Sequence, residues 1–208
     1  MKNSKLKFTT KWITYTAVLT AMVFATNFIP PIPTVAGSVY WVDGVILIAS
    51  FLMDPIASFI IGGVGSFLYD LHWSPQMMGF SLVIHGLQGI IVSTLVHYVF
   101  PKKGEPIWAA IASVIAAVEA IIGYFFAQWV VRGLPVAITK IPRDIIQEII
   151  GITIAMLICY ATTFKRQLER SHLLPDFKKE VLNDRKKKPA KVVETTEPES
   201  TDTTDTNE

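Results

Sequence analysis

The chain of 208 residues has a single cysteine, Cys159, so no internal disulfide framework can form. It has no G-x-x-x-x-G-K-[ST] phosphate loop, so any ATP used alongside it must be used by a partner. H-E-x-x-H, G-x-S-x-G and paired metal-ligand spacings are also missing, and no metal or cofactor is expected. The two halves show no internal repeat, a feature that folds of self-sufficient secondary transporters often carry. Charge is scarce too: only 17% of residues are Asp, Glu, Lys or Arg, and they crowd towards the ends. Nucleic acid is not an expected partner. What the chain has instead is apolar residues, 51% of the total, with a mean hydropathy of +0.43. That is too apolar for an ordinary soluble domain. The expected class is an all-α polytopic membrane protein in the cell membrane, with the lipid bilayer as its solvent.

Six apolar segments can be read in order. Segment 1 runs from about Trp12 to Ile29 and stops at Pro30-Pro31-Ile32-Pro33, which cannot continue a helix. It is too long, and lacks the small-residue cleavage site, to be a removable signal peptide. A loop over 30–41 follows, ending in Tyr40-Trp41. Segment 2, about Val42 to Met53, is short for a span. Segment 3 covers about Pro55 to Leu71, with Asp54 a plausible N-cap and Pro55 suited to the first turn. Segment 4 covers about Met77 to Val99, and segment 5 about Pro106 to Val131. The stretch from Arg132 to Ile141 reads as a loop, and Pro142 as the start of segment 6, which runs to about Thr163. The membrane domain is therefore expected over 12–163. Residues 1–11 form a basic leader. Residues 164–208 form a tail, first basic and then acidic and Thr-rich, that is too polar to bury a core and should be disordered.

Charge at the segment ends sets the orientation. The N-terminus, the turn between segments 4 and 5, and residues 164–170 supply Lys2, Lys5, Lys7, Lys11, Lys102, Lys103, Lys165, Arg166 and Arg170. The opposite loops supply only Arg132, Lys140 and Arg143. Nine against three places both termini in the cytoplasm.

Depth then follows from a rise of about 1.5 Å per residue. Segment 4 enters from outside, so His85 lies about 12 Å down and Gln88 near the midplane. Segment 5 exits outward, leaving Gln128 shallow, Tyr124 about 10 Å down and Glu119 near the midplane. On segment 6, Asp144, Gln147 and Glu148 share one face in the outer half. Tyr69 and Asp70 close segment 3 at the same outer surface. Polar groups are costly in lipid, and groups from three or four helices at one depth imply a pocket open to the outside. The bland alternative is that each group only satisfies a neighbour in the bundle. Segments 4 and 5 and the deep part of segment 6 carry no Lys or Arg, so a neutral or cationic heteroaromatic ligand suits the pocket better than a polyanion. A desolvated Glu119 would be protonated or paired, with His85 or the ligand as partner. Tyr40, Trp41, His72 and Trp73 are placed to stack on the ligand as a lid, or else to sit as interfacial aromatics. Asp43 reads as a helix cap.

Three stripes of small residues recur every fourth position: Ala17, Ala21 and Ala25 on segment 1, Ser58, Gly62 and Ser66 on segment 3, and Ala112, Ala116 and Ala120 on segment 5. Such stripes let helices approach closely. Most must be internal packing; composition does not say which faces outward.

The order of motifs carries a resemblance. Ala17-x-x-x-Ala21 lies on the first segment, Val42-Asp43-Gly44 opens the second, His85-Gly86-Leu87-Gln88-Gly89 lies in the fourth, and Pro142-Arg143-Asp144-Ile145-Ile146-Gln147 opens the sixth. Together they resemble the substrate-binding S components of energy-coupling factor (ECF) vitamin transporters over about residues 10–165, nearest the hydroxymethylpyrimidine and pyridoxine branch. The resemblance implies a subunit that captures a small vitamin from the outer side, not an enzyme. A separate membrane coupling protein and two ABC ATPases would drive transport. It also implies that Ala17, Ala21 and Ala25 meet the coupling protein. The expected substrate-binding residues are His85, Gln88, Glu119, Tyr124, Asp144, Gln147, Tyr40 and Trp41. The alternatives are an S component for another vitamin such as riboflavin, and a membrane-embedded enzyme using His85 and Glu119 as acid and base.

Overall fold

A computed structural model describes residues 10–26, 28–100 and 105–162. The leader up to residue 9, Lys102 and Lys103, and the tail from Thr163 onward lie outside the described residues, as does most of the charge that set the orientation. Among the described residues the elements are α1 (Thr10–Thr26), β1 (Ile32–Thr34), β2 (Gly37–Val39), α2 (Val42–Leu52), α3 (Pro55–Phe59), α4 (Gly65–Trp73), α5 (Met78–Thr94), α6 (Glu105–Arg132) and α7 (Leu134–Met156). A π-helical turn, Ile60–Val64, joins α3 to α4 without a break, and two more, Leu95–Val99 and Leu157–Ala161, extend α5 and α7.

Among the described residues, three helices are long and apolar enough to cross a membrane: Met78–Val99, Pro106–Arg132 and Leu134–Ala161. The fold is that of a helical membrane protein. α6 shows how it is built. Its small residues Ala109, Ala112, Ala116, Ala120 and Ala127 are buried, while Ile107, Val114, Val118, Ile122 and Phe126 on the opposite face are exposed. A soluble helix places its large apolar residues inward; here close helix contact uses alanine, and the bulky side chains face what must be lipid. α2 is the reverse case. Its eleven residues are too short to span alone, and nine of them are buried.

The start of segment 3 is as its residues dictate. Asp54 Oδ1 accepts from the backbone N–H groups of Ile56 (3.0 Å) and Ala57 (3.1 Å), and Pro55 occupies the first turn, where no donor is needed. The α3–α4 unit and α5 then meet backbone to backbone. A Cβ at Gly62 would lie 2.5 Å from the His85 carbonyl oxygen, and one at Gly89 would lie 2.6 Å from that of Ser58. Only glycine allows this approach.

The small-residue stripes separate by location. The stripe of segment 3 lies inside, with Ser58 and Ser66 buried, and so does that of segment 5. Ala17, Ala21 and Ala25 on α1 are exposed, beside exposed Ile13, Val18 and Met22.

Two regions differ from expectation. The loop over 30–41 contains an antiparallel hairpin pairing Ile32 with Val39 and Thr34 with Gly37. Strands of three residues, one of them holding Pro33, leave no readable alternation. The expected loop from Arg132 to Ile141 is helical from Leu134, and Pro142 lies inside α7 instead of starting it. Pro135 takes the first turn, after Gly133 at φ 91°. Pro142 forfeits one backbone bond, a loss that packing of α7 along α6 and α2 can offset.

Candidate functional site

α5 presents Ser81, His85 and Gln88 at i, i+4 and i+7, one continuous stripe, and all three are buried. Each meets a group from another helix. His85 Nδ1 contacts Gln88 Oε1 at 3.1 Å, and Gln88 Nε2 donates to both carboxylate oxygens of Glu148 on α7, each at 3.1 Å. With the Gln88 amide nitrogen turned to Glu148, its oxygen faces the imidazole, and a proton on Nδ1 completes that contact. On the other side of the ring, Nε2 lies 2.8 Å from the hydroxyl of Tyr124 on α6. That hydroxyl is 3.0 Å from Ser81 Oγ, which in turn hydrogen-bonds the carboxyl of Asp70 on α4.

A second set of bonds converges from α2, α7 and the hairpin. Asp43 is fully buried, and its Oδ2 accepts from Gln147 Nε2 at 2.7 Å, while its Oδ1 lies 3.6 Å from His85 Nδ1. Close approach of α7 makes this possible, since a Cβ at Gly151 would lie 2.9 Å from Asp43 Cβ. Gln147 Oε1 accepts from the Tyr40 backbone N–H (3.2 Å) and from Arg143 Nη2 (3.0 Å). Arg143 also pairs with Asp144 (3.3 Å) and lies 6.0 Å from the Tyr40 ring centroid. Asp43 Oδ1 and Arg143 Nε have no hydrogen-bond partner among the described residues and are met only by the ion-pair contacts with His85 and Asp144.

Between these two sets lies a cavity of about 240 Å³. Its polar walls are Asp70, His85, Tyr124, Gln128, Asp144 and Gln147, its aromatic wall Tyr40 and Tyr69, and its cationic edge Arg132, Lys140 and Arg143. Ser66 Oγ and Gln128 Oε1, from residues lining this cavity, have no hydrogen-bond partner among the described residues.

Of the expected residues, the structure brings His85, Tyr124, Asp144, Gln147 and Tyr40 to the cavity wall. Gln88 stands behind it, bracing His85 against Glu148. Glu119 does not line the cavity: its Oε2 is buried without a hydrogen-bond partner among the described residues, and both ring nitrogens of His85 face other groups. Trp41 does not line the cavity either; its indole N–H donates to the Pro30 carbonyl (3.1 Å) and anchors the hairpin. Asp43, expected only to cap α2, makes no cap bond and belongs to the buried network. Asp70 and Gln128, expected in the outer polar cluster but not among the substrate-binding residues, line the cavity together with Lys140, and Ser81 stands behind it. Helical spacing carried the signal for two of them, since Ser81 is four residues before His85 and Gln128 four after Tyr124.

With this geometry in place, comparison with known proteins defines the class. Residues 7–163 match the family described as "ECF-type riboflavin transporter, S component", and the chain belongs to this family. Two relatives add detail. The chain is 30% identical over 173 residues, 81% of its length and 94% of the relative's, to "Thiamine precursor transporter HmpT" of Lactococcus lactis subsp. cremoris (strain MG1363). It is 31% identical over 126 residues, 60% of its length and 81% of the relative's, to "Uncharacterized protein in gap 3'region" of Pyrococcus woesei. The chain is thus a substrate-binding transporter subunit and not an enzyme, of a type that works with an energy-coupling module.

Proposed function

We propose that this S component captures a small, single-ring heteroaromatic thiamine precursor of the hydroxymethylpyrimidine type from the outer side of the cell membrane. The observation that carries the proposal is the cavity. At about 240 Å³ it falls below the range of about 300–1,000 Å³ typical of sites for drug-sized ligands, and so suits one ring with short substituents. Its walls mix aromatic faces with donors and acceptors, and each acid near the cationic edge already has a partner. Pyridoxine has a comparable size; the relation to the thiamine precursor transporter favours the pyrimidine. His85, Tyr124, Asp144, Gln147 and Tyr40 contact the ligand in this reading, and Gln88 holds His85 in place.

In this reading the membrane domain, residues 12–163, crosses six times with both termini in the cytoplasm, an orientation that the charge count of nine against three supports. The segments before and after it are cytoplasmic. The exposed alanine face of α1 docks on a membrane coupling protein, which two ABC ATPases power.

Riboflavin is the second reading, favoured by the description of the matching family. Release of small molecules from the purified chain, read by mass, separates the two. A pyrimidine supports the proposal, and a flavin supports the alternative.

A further inference from the structure

The bonds that join Asp70 to His85 form an unbroken line through two hydroxyls: Asp70, Ser81, Tyr124, His85. Each hydroxyl has one proton to donate. Nδ1 of His85 is fixed as a donor to Gln88 Oε1, so only Nε2 can change. The line can then be fully bonded in two ways. In the first, protonated Asp70 donates to Ser81, Ser81 to Tyr124, and Tyr124 to an unprotonated Nε2. In the second, Nε2–H donates to Tyr124, Tyr124 to Ser81, and Ser81 to the Asp70 carboxylate. Both hold the same number of protons. They differ by a concerted shift of three protons, which moves one positive charge from the Asp70 end to the imidazole. If Asp70 is a carboxylate while Nε2 is bare, Ser81 and Tyr124 both donate outward, and their oxygens meet at 3.0 Å with no proton between them.

We infer that Asp70, Ser81 and Tyr124 act as a relay that shares one proton with His85, and that this relay sets the polarity the cavity presents to its ligand. Both ends of the line, Asp70 and His85, are in the cavity wall. The wall can therefore be neutral, or a carboxylate opposite an imidazolium, without exchanging a proton with water. Such a wall suits a nitrogen heterocycle with a ring nitrogen that binds either bare or protonated. This ligand class rests on the binding reading above; the relay itself does not. Ser81 is a positioning residue here, acting on His85 through Tyr124, which itself lines the cavity.

Other charges surround the line and act through space. Asp43 of α2 lies near Nδ1, Glu148 of α7 is reached through Gln88, and Arg132 of α6 and Arg143 and Asp144 of α7 stand at the cavity edge. The Pro55–Val64 stretch packed against α5 carries no ionisable residue. A through-space effect of Asp70 on His85 would survive a cut in the line, and that separates it from the relay.

The test is ¹⁵N NMR of histidine-labelled, ligand-free protein across pH, with His85 identified by its loss in His85→Gln. Asp70→Asn should move the His85 protonation midpoint by at least about half a pH unit in the otherwise unchanged chain. In a Tyr124→Phe background, which keeps the ring against His85, the same substitution should move it by less than half as much. Ser81→Ala cuts the line at a second link and should give the same result if Tyr124→Phe does not fold. No effect of Asp70→Asn in the unchanged chain, or an equal effect with the line cut, overturns the relay. Because no ligand is present, a failure to bind any heterocycle would count against the binding reading alone.

Discussion

α1 and α6 carry the same sequence pattern, an alanine every fourth residue, and place it oppositely. On α6, Ala112, Ala116 and Ala120 are buried against neighbouring helices, and the large apolar residues face outward. On α1, Ala17, Ala21 and Ala25 are exposed among equally exposed Ile13, Val18 and Met22. A small-residue stripe therefore encodes close approach but not the identity of the neighbour. The buried stripe holds the bundle together. The exposed one leaves a face on which another membrane helix can lie without disturbing the cavity.

The sharpest way to break this contrast is to enlarge both stripes. Ala116→Trp forces an indole into a closed helix contact and should abolish recovery of folded protein, measured by monodisperse yield and thermal unfolding in detergent. Ala21→Trp should leave yield, unfolding temperature and ligand binding unchanged, yet lose co-purification with the coupling module. If Ala21→Trp destabilises the isolated chain as Ala116→Trp does, the α1 face is structural and the contrast fails.

Smaller effects belong to the polar site. Gln88→Ala removes the amide nitrogen that donates to both Glu148 oxygens and the amide oxygen that faces His85, leaving buried groups unpaired at about 1–3 kcal/mol each. It should lower both unfolding temperature and ligand affinity. Gln147→Ala, at the cavity wall, should weaken ligand binding about tenfold, as expected for about 1.4 kcal/mol, with coupling-module assembly intact. Trp41→Phe should do least. It loses one bond to Pro30, about 0.5–1.5 kcal/mol, in the hairpin and not in the cavity wall, so thermal stability should fall slightly and affinity stay the same.

Much of this site was legible because helical period and depth are simple functions of residue number. Those two quantities suffice to bring His85, Tyr124, Asp144 and Gln147 to one level, and the structure places all four around one cavity. The cap of Asp54 was legible for a similar reason, being a purely local bond. Depth alone does not put Glu119 in the cavity wall, because level along a helix says nothing of which way a side chain projects. Asp43 is hard to read from sequence because its partner, Gln147, is 104 residues away and it is the packing of α2 on α7, close at Gly151, that brings the two together. Pro142 misled because proline is more often a helix start than an interior residue, and the sequence does not show the packing that sustains α7. The hairpin left no signal at all in strands of three residues.

The direct measurement is calorimetric titration of the purified, ligand-free chain with hydroxymethylpyrimidine, pyridoxine and riboflavin. The cavity predicts saturable one-to-one binding of hydroxymethylpyrimidine, no heat from riboflavin, and a weaker isotherm in Gln147→Ala. Riboflavin binding with no response to hydroxymethylpyrimidine, or a Gln147→Ala isotherm identical to that of the unchanged chain, would contradict it.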